Sequence, residues 1–381
     1  MTTLLKGATV LTMAGEEKPF VGDVLLDGDR IAAVGMELPE RGARVVSAKG
    51  LYLTPGLIDA HSHVGLQENC VGWEGLNTDE IADPIAPQLS ALDAVNPEDV
   101  GFAEALSGGV TAAAIGPGSG NVMGGQFTLV RTHGTVIDDM VIRPCVALKA
   151  AMGENPRKVY GDGRGRAPVT RMGTADLLRQ ALEKGRAELE PNVAPSRRQL
   201  ALAGLLRGDY PLKVHLHRKD DICTAIRISH EFGITLSLEH ATDAYRIPEL
   251  IAREQRDHGL RLVLGQYLSG PKKVESVWRT AKAPALLAAH GVRFALMTDH
   301  PAIPMQYLSV QAGVLVREGL DEHAALRAIT CDAAWAVGAQ EEIGSIAVGK
   351  AADLALWDGF PLDMRSRARQ VYSRGTLVYE G

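Results

Sequence analysis

The chain has 381 residues, of which 46% are hydrophobic and 23% charged, a globular composition that excludes a disordered polypeptide. Its length exceeds that of one ordinary domain, so a large domain with a smaller companion is expected. Forty basic against 46 acidic residues give a net charge of -6 with no block of like charge, which speaks against a nucleic-acid partner.

Residues 3–53 carry short β segments, TLLKGATVLTM and then DVLLDGDRIAAVG, with Asp27-Gly28-Asp29 where a hairpin turn belongs. This alternating start differs from the unbroken apolar stretch of a signal peptide, and no apolar run approaches the roughly 18 residues of a membrane span. The expectation is a soluble, cytoplasmic protein. Cys70, Cys145, Cys223 and Cys331 form no CxxC pair and read as reduced structural thiols.

From residue 55 to residue 340, strand-like and helix-like runs alternate. LIDAHSH, GVTAAAIG, VIRPCVALKA, LKVHLH, ITLSLEHA, LRLVLGQ and VRFALMTD read as strands. EDVGFAEALSGG, TADLLRQALEKGRAELE, DDICTAIRISHEFG, IPELIAREQRDHG and KAPALLAAHG read as helices. That α/β order predicts a (β/α)8 TIM barrel, with an open doubly wound sheet as the alternative. The glycine-rich segments 116–125 and 161–168 read as loops. The former continues as extended structure, so no helix N-terminus follows to hold a phosphate. The β texture returns in ADLALWDG and RQVYSRGTLVYEG. Both β-rich ends are too short to close a core alone and are expected to pair, giving a small β-sandwich from residues 1–54 and 341–381 around a barrel at 55–340.

The chemistry concentrates at predicted strand ends. Residues two apart on a strand share a face, so His61 and His63 point together into the barrel mouth. His215, His240 and Asp299 end later strands. Imidazoles and a carboxylate converging from separate strands suit a divalent ion such as zinc or manganese. His230, His258, His290 and His323 fall in or beside helices and read as solvated.

PGLIDAHSH, GGVTAAAIGPGSGNVMGGQ, ALKAAMGENPRKVYG, VHLHRKDD, LEHAT, MTDHP and GSIAVGKAADLALWD together resemble the amidohydrolase superfamily of metal-dependent hydrolases. The likeness is to the imidazolonepropionase-like branch, which includes dipeptidases and prolidases. It implies that His61 and His63 bind a more buried ion, His215 and His240 a more exposed one, and that Asp299 touches metal and shuttles the proton. Lys149 stands where several binuclear members carry a lysine carbamate bridging both ions. A free ammonium would repel cations that an anionic carbamate would hold. The competing readings are a plain substrate-binding lysine or a single-metal site, and Glu154 is a second candidate ligand.

The implied reaction is hydrolysis of a C–N bond in an amide, a cyclic amide or a dipeptide-like small molecule, by attack of metal-bound hydroxide. His217 or His240 would assist the developing oxyanion. Asn121, Gln126, Tyr160 and His300 are candidate substrate contacts. Arg157, Arg164, Arg166 and Arg171 include a candidate clamp for a substrate carboxylate. A deaminase acting on an aminated ring is the alternative within enzymology. The reading from another class is an inactive scaffold, which retention of four histidines and the aspartate argues against. A small-molecule substrate, no membrane or nucleic-acid partner, and an oligomeric state left open, a homo-oligomer included, complete the expectation.

Overall fold

The computed structural model describes residues 2–15, 18–40, 42–69, 71–187, 194–271 and 273–381. Two eight-stranded sheets organise them. One is made from both ends of the chain. The N-terminal part supplies Thr2–Val10, Phe20–Asp27, Arg30–Gly35, Arg44–Ser47 and Tyr52–Pro55. The C-terminal part supplies Leu354–Trp357, Ala368–Ser373 and Thr376–Glu380. Gly28, at φ +57°, lies in the tight turn between the second and third strands, a backbone shape that glycine adopts without steric cost. The two ends join where Tyr52–Pro55 runs antiparallel to Leu354–Trp357, and Trp357 Nε1 donates to Thr54 Oγ1 at 3.0 Å. Leu5, Val24, Ile31, Leu53, Leu354 and Leu356 form the apolar core of this sheet.

Gly56 is the step from the terminal sheet into the second one; a Cβ there would collide with the Thr111 side chain. The second sheet runs Leu57–Ser62 (β1), Val110–Ile115 (β2), Met123–Arg131 (β3), Val141–Ala151 (β4), Leu212–Leu216 (β5), Leu236–His240 (β6), Arg261–Leu264 (β7) and Ala295–Leu296 (β8). Each expected strand is present, and β3 supplies the eighth. It departs from βαβα order, being antiparallel to both neighbours, with only the short helix Ile137–Met140 before β4. Residues 161–164, expected as loop, continue the helical turns that begin at Glu154.

The sheet curls until β8 meets β1. There His63 N donates to His300 O at 2.9 Å and Asp299 N to His61 O at 3.2 Å. This nearly closed ring, with helices outside, is a TIM-like α/β fold and excludes the open sheet. β8 is shorter than the run VRFALMTD suggests, because Thr298 N and Oγ1 donate to the Asp59 carboxylate instead of continuing the ladder. Outward-facing Leu212, Val214, Leu216 and Leu238 pack under helix residues such as Ile222, Ile226 and Ile251.

Cys145, Cys223 and Cys331 are free and only partly buried, and Cys70 lies outside the described residues, as does the end of the expected helix beyond Ala187. No helix among the described residues is long and apolar enough to cross a membrane.

Candidate functional site

At the carboxyl ends of the barrel strands lies a cavity of about 430 Å³. His63, Lys149, His215, His217, His240 and Asp299 line it, together with Gln266, Lys273 and Arg279 from the loop after β7. His61 sits beneath, fully buried.

The strand pleat explains part of this convergence. Asp59, His61 and His63 project to one side of β1 and its extension, as Lys213, His215 and His217 do from β5. At β6 and β8 the alternation fails. Glu239 bonds to His61 inside the barrel, yet the next residue, His240, also faces the cavity; Thr298 and Asp299 behave alike. His240 (φ 62°) and Asp299 (φ 54°) are left-handed, which turns consecutive side chains to the same side. Such a conformation in a residue with a Cβ costs of order 1–3 kcal/mol, and functional sites are where that cost is commonly borne.

The imidazoles are held by one edge. His61 Nδ1 donates to Glu239 Oε2 at 2.8 Å, His63 Nδ1 to Gly116 O at 2.7 Å and His240 Nδ1 to Gly265 O at 3.1 Å, while His217 Nδ1 pairs with Thr242 Oγ1 at 2.7 Å. Their ε nitrogens are thereby left for the site. His61 Nε2 and His63 Nε2 lie 3.7 and 3.4 Å from Asp299 Oδ1, and Gln266 Nε2 donates to Asp299 Oδ2 at 2.9 Å.

Burial and the neighbouring lysines hold His61 and His215 well below the usual imidazole range, and burial brings His240 to about 4. Burial lowers Lys149 to about 8 and raises Asp59 to about 7. Burial would also raise Asp299, but His240, His63 and Lys149 outweigh it and keep this acid ionised. Neutral imidazoles beside a carboxylate are the ligand forms a divalent ion takes.

A test of fit is the state of individual donor atoms. His217 Nε2 and Glu275 Oε1 are buried with no hydrogen-bond partner. The donors of His61, His63 and Asp299 lie within 4.8 Å of one another, as do those of His215, His217 and Glu275. The residues therefore suit one or two cations. The second grouping differs from the expected pair His215 and His240, whose ring centroids are 4.5 Å apart. Lys149 Nζ is 3.3 Å from His61 Nε2, and Lys273 Nζ is 3.2 Å from His215 Nε2.

The candidate substrate contacts lie elsewhere. Asn121 Nδ2 donates to Glu80 O, Asp83 O and Tyr160 OH, which fixes a loop and buries Tyr160. Gln126 Nε2 donates to Pro87 O. His300 is buried below the mouth, where Nδ1 accepts from Met305 N. Arg157 donates to Val169 O, Arg164 is exposed, and Arg166 packs 5.3 Å from the Tyr160 ring centre while donating to Ile81 O and Ala82 O. Arg171 is held by Asp221 and Glu275 at 3.1 and 3.3 Å. Glu154 pairs with Lys158 at 3.3 Å. None of these residues lines the cavity. Among its unanticipated members, Gln67, Thr78 and Asp79 come from the segment after β1, and Gln266, Lys273 and Arg279 belong to GQYLSGPKKVESVWRT. Only the position of these stretches, each following a barrel strand, could have pointed to them.

Comparison with known proteins adds relatives to this geometry. A model of the amidohydrolase family matches residues 227–379. The chain is 38% identical to an amidohydrolase of Thermotoga maritima MSB8 with a crystal structure, each chain being covered completely at a TM-score of 0.95. It is 28% identical to the imidazolonepropionase of Sphingopyxis alaskensis, over 94% of this chain and 92% of that protein. It is also 28% identical to the amidohydrolase tasK of Hapsidospora irregularis, over 95% of this chain but only 40% of the length of that relative.

Proposed function

Because the chain belongs to the amidohydrolase superfamily, enzymes acting on carbon–nitrogen bonds, we propose that it hydrolyses an amide, a cyclic amide or a dipeptide-like small molecule with one or two divalent ions. The reading rests on the meeting of His61, His63 and Asp299 from the two edges of the barrel seam, with the ε nitrogens turned to the carboxylate. His61, His63, His215, His240 and Asp299 would hold zinc, or manganese, with Lys149 as a carbamate where two ions bind; His217 and Glu275 are further candidate donors. A divalent ion at such a site supplies Lewis acidity and makes water a stronger acid.

The side chains perform the rest. Asp299, kept ionised, takes the proton from water and returns it to the leaving nitrogen. His217, whose Nδ1 can accept from the Thr242 hydroxyl and so leave a hydrogen on Nε2, donates toward the oxygen that gains charge, whereas His240 spends its only hydrogen on Gly265 O and presents a bare Nε2. Lys273 and Arg279, at the cavity wall, replace the sequence-expected arginines as the clamp for a substrate carboxylate. The terminal sheet is read as a small β-sandwich domain, residues 1–54 with 341–381, around the barrel of residues 55–340. The same reading places the enzyme in the cytoplasm.

The experiment is purification without chelator, metal analysis, and a screen of dipeptides, N-acyl amino acids and cyclic amides. Bound zinc or manganese with release of an amine and a carboxylate supports the proposal. Protein without a transition ion overturns it, and release of free ammonia from an aminated ring replaces it with a deaminase.

A further inference from the structure

The four histidines read as solvated helix residues do not share one fate. His230 lies in the last turn of the helix Lys219–Phe232, and His258 ends the next helix, Pro248–His258. Their ring centroids are 4.4 Å apart, with planes inclined by 44°. One turn before His258, and on the same side of its helix, Glu254 places Oε2 2.8 Å from His230 Nε2. Glu254 is only 3% exposed, whereas both imidazoles are open to solvent. The donor atoms of the three side chains all lie within 4.8 Å of one another.

Two imidazoles and a carboxylate from adjacent helices form a donor set that zinc accepts, with water completing a tetrahedron. The backbone adds to the attraction. Both histidines stand in C-terminal helical turns, where the aligned peptide dipoles present partial negative charge and favour a cation. Arg253 reaches only the other oxygen of Glu254, at 3.6 Å.

The geometry points to a further divalent-cation site at His230, Glu254 and His258, selective for zinc or a similar transition ion such as cobalt or nickel. Each helix ends just before the next barrel strand begins, at Leu236 and at Arg261. The site therefore lies at the amino ends of the strands, opposite the cavity, on the face of such barrels that serves stability. A cation here ties two outer helices together and takes no part in turnover.

The test compares the whole wild-type protein with His258→Gln and His230→Gln, each dialysed against micromolar zinc and then assayed for zinc per chain, thermal unfolding and hydrolytic activity. The expected result is one additional zinc in the wild type, a higher unfolding temperature in zinc for the wild type than for either variant, and unchanged turnover per chain. Both substitutions are at exposed side chains, and each variant serves as a check on the folding of the other. Equal zinc content in all three proteins overturns the site, as does an additional zinc that binds only at millimolar concentration. Because the readout is the difference in zinc content, the outcome does not depend on whether the cavity carries out C–N hydrolysis.

Discussion

His61 Nδ1 and Glu239 Oε2 are 2.8 Å apart, and neither side chain has any solvent exposure. The same carboxylate accepts from Lys213 Nζ at 2.9 Å and, through Oε1, from Ser237 Oγ at 2.6 Å. Glu239 thus fixes which nitrogen of His61 carries the proton and leaves Nε2 as the donor to an ion.

Glu239→Gln is expected to weaken metal retention about 10- to 100-fold, measured by competition with a chelator. Glu239→Ala also strands the buried Lys213 ammonium, and a folding loss of about 3–5 kcal/mol should appear in denaturant titration. Undiminished metal retention in both variants would limit Glu239 to neutralising Lys213.

Asp299→Asn keeps an oxygen toward His63 but can neither take a proton nor hold charge. Turnover should fall about 100- to 10,000-fold, with metal content retained at saturating zinc. Turnover within a few-fold of the wild type would remove Asp299 from proton transfer.

Lys149 gives a pH prediction for the metal-free protein. With Lys149 brought to about 8 by burial, the ammonium dominates below that pH and the free amine above it. Carbamate formation needs the free amine: nitrogen bonds to the carbon of carbon dioxide, one C–O π pair moves to oxygen, and the N–H proton leaves to solvent. Uptake of 13C-bicarbonate should therefore rise as pH increases through about 8 and be missing in Lys149→Ala, as read from the carbamate carbonyl signal. No signal in the wild type at any pH, with or without zinc, would leave Lys149 an ordinary cation.

Lys273→Met should raise KM for substrates with a free carboxylate about 10- to 100-fold, the equivalent of one hydrogen bond to a charged group. Amidated counterparts of the same substrates should be little affected. Equal losses on both series would end the clamp role of Lys273.

The barrel and its metal-type donors were legible because a strand has a period of two: His61 with His63, and His215 with His217, need no knowledge of tertiary structure. Glu239 and Thr298 were hidden for the converse reason. A left-handed residue after each sets aside the period that would have assigned them to a face. Arg157, Arg164, Arg166 and Arg171 drew attention by clustering, yet proximity in sequence says nothing about which carbonyls or carboxylates a guanidinium meets. Lys273 and Arg279 carried no pattern, because loops have no repeat. Strand β3 could be read as extended, but its direction could not, since periodicity is the same in both senses.

The seam between β1 and β8 makes ligand binding and architecture one problem. Among the described residues, two backbone bonds fasten the two ends of the hoop, and they come from His61, His63, Asp299 and His300 themselves. An ion gripped by His61, His63 and Asp299 would act as a clasp on that lightly stitched join. Loosening its grip to admit a bulkier substrate would then slacken the whole ring, so variation in what the enzyme accepts is better sought in the rim, at Gln266, Lys273 and Arg279.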